Sequence, residues 1–251
     1  VIRLAFIQEK GNGRLDPEMD QVRRELSRRG VPVQLFTEKR LSRRQLALGR
    51  DTLVVGYVPI VVGALRQLDV GVPEPNDYPL SLRSHLHRRV WESTVGEVKD
   101  AVLDGRFAGA FVKPKGRLKH FTGLVIDSPA DLWHLGETGR KQAVFCAEVV
   151  AWKSEWRYFI LEGRIAGARP YAGDPTIRPD DEVVRAAIAT LHEAGEGLRG
   201  FGIDFGVLGD GRTALVEMND GFSLGSYGVE DAVYTDLVMA RWGEITGTDG
   251  R

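Results

Sequence analysis

Gly202-Ile203-Asp204-Phe205-Gly206-Val207, followed by Leu215-Val216-Glu217-Met218-Asn219, is the stretch on which the reading of this chain turns. Both runs are apolar with small residues interspersed, and Gly209-Asp210-Gly211-Arg212 between them supplies a turn, so a hairpin over 202–208 and 213–218 is predicted. Alternate residues of a strand share a face. Glu217 and Asn219 are therefore expected on one face, with Val216 and Met218 on the other, and strand pairing brings Asp204 toward the polar pair. Two carboxylates and an amide oxygen on one face make a hard-oxygen site of the kind Mg²⁺ uses while sharing its shell with waters and phosphates. An exposed acidic hairpin face with no function has the same composition, and this stretch alone leaves both readings open.

Working outward, Phe111-Val112-Lys113-Pro114 reads as an apolar strand over 107–112 that ends in a lysine. The polar loop 115–123, bounded by glycine, follows it and includes Lys115, Arg117, Lys119 and His120. Such a loop can hold phosphate oxygens by charge and by backbone N–H groups, or it can be an ordinary solvated hairpin. Glu148-Val149-Val150-Ala151 lies in an apolar strand over 143–152 and could present backbone groups to a planar ring. Glu155 and Arg157, two residues apart, share a strand face, where they could equally be a surface ion pair.

The rest of the chain sets limits. Hydrophobic residues make up 43% and charged ones 27% of 251 residues, which excludes wholesale disorder and collagen-like fibres. The net charge of −1 excludes a protein held to nucleic acid by bulk charge. Charge is uneven: residues 1–90 carry 16 Lys+Arg and 10 Asp+Glu, the remainder 18 and 25. The arginines of the first half read as solvated helix faces, because acids interleave them and no stacking aromatics accompany them. One cysteine, Cys146, allows no intramolecular disulfide, and a reducing, cytoplasmic setting is expected. The longest apolar run, 53–65, is broken by Gly56, Pro59 and Gly63 and is too short to span a bilayer; no signal peptide is visible.

Residues 1–60 alternate strand and helix: strands at 1–8, 31–36 and 51–55, helices starting near Asp16-Pro17 and spanning 42–48. The proline-rich 72–78 is a linker, and a helix from 81 runs toward residue 100. A hairpin about Glu162-Gly163, a helix over 180–198, a loop over 220–228 and a helix over 230–245 complete the pattern. No P-loop is present, and Gly11-Asn12-Gly13 lacks the third glycine of a dinucleotide fingerprint. His192-Glu193 is not a zincin motif.

The order of the signals (lysine strand and glycine loop, acidic strand edge, Glu-x-Arg strand, then Asp204 with Glu217-x-Asn219) resembles the ATP-grasp superfamily of carboxylate–amine ligases over roughly residues 85–245. Within it, the text of 115–123 and Glu155-Trp156-Arg157 is most similar to a clade of small bacterial and phage members. The resemblance implies a mixed α/β and α+β fold. A small Rossmann-like domain over 1–84 would precede an ATP-grasp module over 85–251, with a first subdomain at about 107–150 carrying the phosphate loop and a second at 151–251 carrying the metal site. It implies ATP and one or two Mg²⁺ ions as cofactors, and small-molecule or peptide carboxylate and amine substrates as partners; neither nucleic acid nor a membrane is expected.

By the same likeness, Lys113 contacts the α- and β-phosphates, with Lys115 in the loop that folds over them. Glu148, Val149 and Val150 form the adenine hinge, Glu155 meets the ribose, and Asp204, Glu217 and Asn219 hold the metal. Many members carry an arginine two residues before the metal-binding aspartate, where this chain has Gly202. Arg157 is expected to supply that charge, with Arg169 as second choice. The reaction implied is attack of a carboxylate on the γ-phosphate and displacement of phosphate by an amine, near Ser223, Ser226 and Tyr227. A phosphotransferase, or a nucleotide-binding module without ligation, is the alternative.

Overall fold

Three short strands, β1 (Leu4–Gln8), β2 (Val33–Phe36) and β3 (Thr52–Val55), form a parallel sheet in the order β2-β1-β3. The computed structural model describes residues 2–116 and 121–248. Helix α1 (Pro17–Arg28) begins with proline in its first turn, where the missing N–H costs nothing, and buries Met19, Val22 and Leu26 at helical spacing. Asp16 stands at the cap position, but its carboxylate is taken by Lys10 and Tyr57 and caps nothing. The helix expected at 42–48 instead occupies Glu38–Ser42 (α2) and stops where Arg44 turns to φ 54°. Helix α3 (Val58–Gln67) was not anticipated, because its β-branched residues do not look helical. Burial of Ile60, Val61, Ala64 and Leu65 outweighs that propensity.

The second sheet joins β4 (Val90–Thr94), β5 (Ala110–Pro114), β6 (Leu124–Ile126) and β7 (Ala143–Ala147) in the antiparallel order β4-β7-β5-β6. The single helix expected from residue 81 is replaced by a 3₁₀ turn (Leu80–His85), strand β4 and helix α4 (Val95–Leu103). Thr94 and Glu97 explain the break. Glu97 N donates to Thr94 Oγ1 at 3.2 Å, and Thr94 N donates to Glu97 Oε2 at 2.9 Å, a reciprocal cap that starts a new helix at residue 95. Helix α4 packs Val95, Val98 and Val102 on Val112, Ile126, Val144 and Cys146 of this sheet. Strand β7 ends at Ala147, short of the expected 152, so residues 148–151 form the crossing from the second sheet to the third.

The third sheet contains β8 (Trp152–Leu161), β9 (Arg164–Gly173), β10 (Gly200–Leu208) and β11 (Thr213–Asp220) in the antiparallel order β11-β10-β8-β9. Helix α5 (Asp181–Glu193) covers one face, packing Val184, Ala187, Ile188 and Leu191 against Tyr158, Ile160, Phe201, Ile203 and Phe205. The other face carries Glu155, Arg157 and Phe159. At the Phe159 end it joins a core shared by the first sheet and helix α6 (Asp231–Thr246), including Phe222, Leu237 and Trp242. At the Glu155 end the face is left open toward the second sheet. No helix among the described residues is long and apolar enough to cross a membrane.

Candidate active site

Two adjoining cavities open between the second and third sheets, one of about 470 Å³ and one of about 290 Å³. Phe111 and Glu217 line both. The smaller is closed by the crossing segment, with Glu148, Val149 and Val150 on one wall and Tyr78, Arg88, Trp152, Glu155 and Tyr171 on the others. Lys113, Asn219, Asp220 and Ser223 line the larger one, with the loop residues Thr122 and Gly123.

Asp204 and Glu217 are direct partners across the β10–β11 ladder, and Arg157 is the partner of Asp204 across β8–β10. Arg157 donates Nε to Asp204 Oδ1 at 2.8 Å and Nη2 to Oδ2 at 2.7 Å, a buried two-pronged pair. Burial pushes the Asp204 carboxyl up to about 6, against the pull of Arg157. Burial works against the Arg157 charge too, but the hydrogen bonds and charge of Asp204 outweigh it and raise its pKa.

A β-bulge shapes this corner. Phe205 pairs with Leu215 whereas Asp204 pairs with Glu217, so Val216 is an extra residue on β11. The expectation that Val216 lies on the opposite face from Glu217 is corrected by this bulge: Val216 lines the smaller cavity beside Glu217, and Leu215 and Met218 enter the core against α5. Arg88 holds the bulge, donating Nη1 to Leu215 O at 2.6 Å and Nη2 to Val216 O at 3.0 Å, with its guanidinium 5.2 Å over the Trp152 ring.

Lys113 reaches across from β5 to place Nζ 2.6 Å from Glu217 Oε2 and 2.7 Å from Asp77 Oδ2. Burial disfavours its charge, but Glu217, Tyr78 and Asp77 together raise its pKa. Glu155 accepts a hydrogen bond from Tyr171 Oη at 3.0 Å; burial raises its pKa, partly offset by that bond. Tyr171 stacks on Tyr227 with centroids 5.1 Å apart, and Arg157 lies 5.0 Å over the Tyr227 ring.

Gly202 has a local use. A Cβ there would stand 2.9 Å from Leu224 Cδ1 and 3.3 Å from Arg157 Cδ. Leu224 and the Arg157 stem together occupy the space a side chain at 202 would need.

Among the described residues no group of three or more His, Cys, Asp or Glu side chains gathers in the manner of a metal site. The donor set that does converge includes an amide. Asn219 Nδ2 is 3.1 Å from Glu217 Oε1 and 3.4 Å from Asp204 Oδ2, a partial positive charge set between two carboxylates. An end-for-end turn of that amide sets its oxygen beside the two carboxylates, a donor chemistry suited to a hard divalent cation, although both Asp204 oxygens here accept from Arg157.

The segment 85–237, more than half of the chain, matches a family model described as an ATP-grasp domain, the second family of its clade. The chain belongs to this ATP-grasp family. Solved ATP-grasp structures share its fold. The D-alanine–D-alanine ligase of Bacillus anthracis aligns over 100% of both chains with a TM-score of 0.58 and 14% identity. A RimK domain ATP-grasp protein of Sphaerobacter thermophilus covers 95% of this chain and 99% of its own, with a TM-score of 0.55 and 16% identity. The macrocyclase MdnC of Microcystis aeruginosa, solved with precursor peptide MdnA, covers 94% and 99%, with a TM-score of 0.52 and 12% identity. No curated protein matches by sequence.

Of the residues singled out in this ATP-grasp chain, Lys113, Glu148, Val149, Val150, Glu155, Glu217 and Asn219 line the two cavities. Arg157 and Asp204 are buried beside them. Two others, Lys115 and Arg169, line neither cavity. Lys115 is half-exposed and pairs with Glu92 at 2.6 Å. Arg169, the ladder partner of Arg157 across β8–β9, pairs with Glu230 at 2.8 Å and donates to Gly228 O at 3.2 Å. Of the loop 115–123, residues 117–120 lie outside the described residues. Asp77, Tyr78, Arg88 and Tyr171 were missed; Arg88 sat in an arginine-rich stretch read as a solvated face, and its burial against the bulge has no local sequence signal.

Proposed function

We propose that this chain is an ATP- and Mg²⁺-dependent ligase that activates a carboxylate as an acylphosphate and joins it to an amine. The observation that carries the reading is the meeting of Lys113 and Glu217, from strands of two different sheets, 2.6 Å apart at the junction of two cavities. In this reading the smaller cavity takes the nucleoside: the backbone of Glu148–Val150 meets the adenine edge, and Glu155 accepts from the ribose hydroxyls. Tyr171, kept protonated by burial, orients Glu155. Lys113 neutralises phosphate charge, and Thr122 and Gly123 close the phosphate end against water.

Asp204, Glu217 and Asn219 would hold magnesium, which when bound offsets the charge of the phosphates. Arg157 takes the place of the arginine absent at Gly202, a reading supported by its side chain lying beside Gly202, with Cδ 3.3 Å from where a Cβ would stand, and pairing with Asp204. The carboxylate oxygen attacks the γ-phosphorus and ADP leaves; the amine then attacks the acyl carbon, phosphate leaves and an amide forms. The larger cavity, beside Asp220 and Ser223, accommodates these substrates. Division of the chain near residue 84, a cytoplasmic setting and small-molecule or peptide substrates belong to the same proposal.

Two measurements test it. Calorimetry should show Mg-ADP binding that weakens at least about tenfold in Lys113→Ala, since a charge-assisted phosphate contact is lost. ADP release should depend on both a carboxylate and an amine, with amide formed in step. Phosphorylated acceptor without amide assigns a phosphotransferase instead, and unchanged ADP binding by Lys113→Ala refutes the nucleotide site.

A further inference from the structure

Between α3 and β4, residues 70–79 form neither helix nor strand. They are nevertheless pinned at several points. The Asp77 carbonyl accepts from Met218 N at 2.9 Å, which adds one rung to the open edge of β11. Glu196, beyond α5, accepts from Leu80 N at 3.2 Å, Ser81 N at 3.0 Å and Asn76 Nδ2 at 3.4 Å. Held this way, the strap passes along the mouth of the site, with Asn76 and Asp77 on the larger cavity and Tyr78 on the smaller.

The chemistry lies at Lys113. Its ammonium has three N–H donors. Glu217 and Asp77 carboxylates stand at 2.6 and 2.7 Å, and the Tyr78 ring lies 4.6 Å from Nζ. Lys113 lines the larger cavity although only 8% of it is exposed, and a phosphate oxygen arriving there competes with these neighbours for Nζ. Glu217 keeps the buried cation paired throughout, so the second place on Nζ can pass from one anion to another. Glu217 is tied to Asn219 as well. Asp77 is borne on irregular backbone and, among the described residues, its carboxylate has Lys113 as its ion-pair partner.

We infer that Asp77 competes with a phosphate for Lys113 and is displaced when the nucleotide binds. Asp77 lies outside the segment 85–237 that matches the family domain, and it sets the nucleotide affinity of the site from there. The inference rests on the nucleotide reading above. Because the carbonyl rung to Met218 is backbone, changing the side chain leaves the strap attached.

The test is calorimetric titration of the full chain and of Asp77→Asn and Asp77→Ala with Mg-ADP and with adenosine, thermal melts establishing that each variant is folded. Both variants should bind Mg-ADP about tenfold more tightly, the scale of one charge-assisted contact no longer competed for. Adenosine, having no phosphate, should bind all three proteins equally. Normal Mg-ADP binding by the unaltered chain, with equal or weaker binding by the variants, overturns the inference and leaves the nucleotide site standing. Tighter adenosine binding in step with ADP overturns it also, since the effect is then not at the phosphate. Absence of Mg-ADP binding by all three overturns the inference together with the nucleotide reading.

Discussion

Replacing Arg157 with methionine removes a charge while keeping most of the stem that fills the space beside Gly202. Asp204 is 1% exposed, and both of its oxygens are held by Arg157 at 2.8 and 2.7 Å. In Arg157→Met its remaining donor is Asn219 Nδ2 at 3.4 Å. Removing one partner of a buried ion pair costs roughly 3–5 kcal/mol. For a chain of this size that corresponds to a fall in melting temperature of roughly 6–20 °C.

The loss should depend on pH. Burial already lifts Asp204 from its ordinary 3.8 to about 6 against the opposing pull of Arg157, and without that pull it moves higher. A carboxyl with a raised folded-state pKa favours folding once the native state takes up the proton, so the penalty is full above that pKa and is relieved as pH falls through it. Equilibrium urea unfolding should therefore show a much larger loss near about pH 8.5 than near about pH 5. The double variant Arg157→Met/Asp204→Leu should recover most of the stability. A loss below about 1 kcal/mol, the range of an exposed pair, or one equal at both pH values, refutes the argument.

Glu217→Gln should weaken magnesium-dependent ADP binding at least about tenfold without weakening metal-free ADP binding, since the same change removes a competitor for Lys113, as calorimetry with and without magnesium would record. Arg88→Gln leaves the Leu215 and Val216 carbonyls without their donor. It should cost roughly 1–3 kcal/mol in urea unfolding and also weaken ADP binding, with Arg88→Lys restoring part of both. Cys146 is fully buried on β7, and burial with the nearby Glu97 charge pushes its thiol up to about 11. A disulfide reagent near neutral pH should label it slowly in the native chain and at least about a hundredfold faster in urea.

The hairpin bearing Asp204, Glu217 and Asn219 was legible because its turn and its alternation are local. So was Lys113 at the end of an apolar strand. The phase slip at Val216 was not, since the bulge is closed by an arginine 127 residues away in sequence. The splitting of the expected helix after residue 81 was half-visible: Thr94 and Glu97 have capping-box spacing, but the ladder partner that turns 90–94 into a strand is β7, some fifty residues on. Asp77 and Tyr78 carried no signal beyond a proline-rich linker; only the fold lays that linker against Lys113.

The core shared by the first sheet and α6 has a consequence for how the chain is made. Trp242 donates Nε1 to Thr52 O at 2.7 Å across 190 residues, and α6 closes over Leu53 and Val54. At ribosomal rates of roughly 5–20 residues per second, that gap lasts about 10–40 s. Through that interval the strands of the first sheet stand outside the exit tunnel without their lid, so this sheet waits for α6 before its core is sealed.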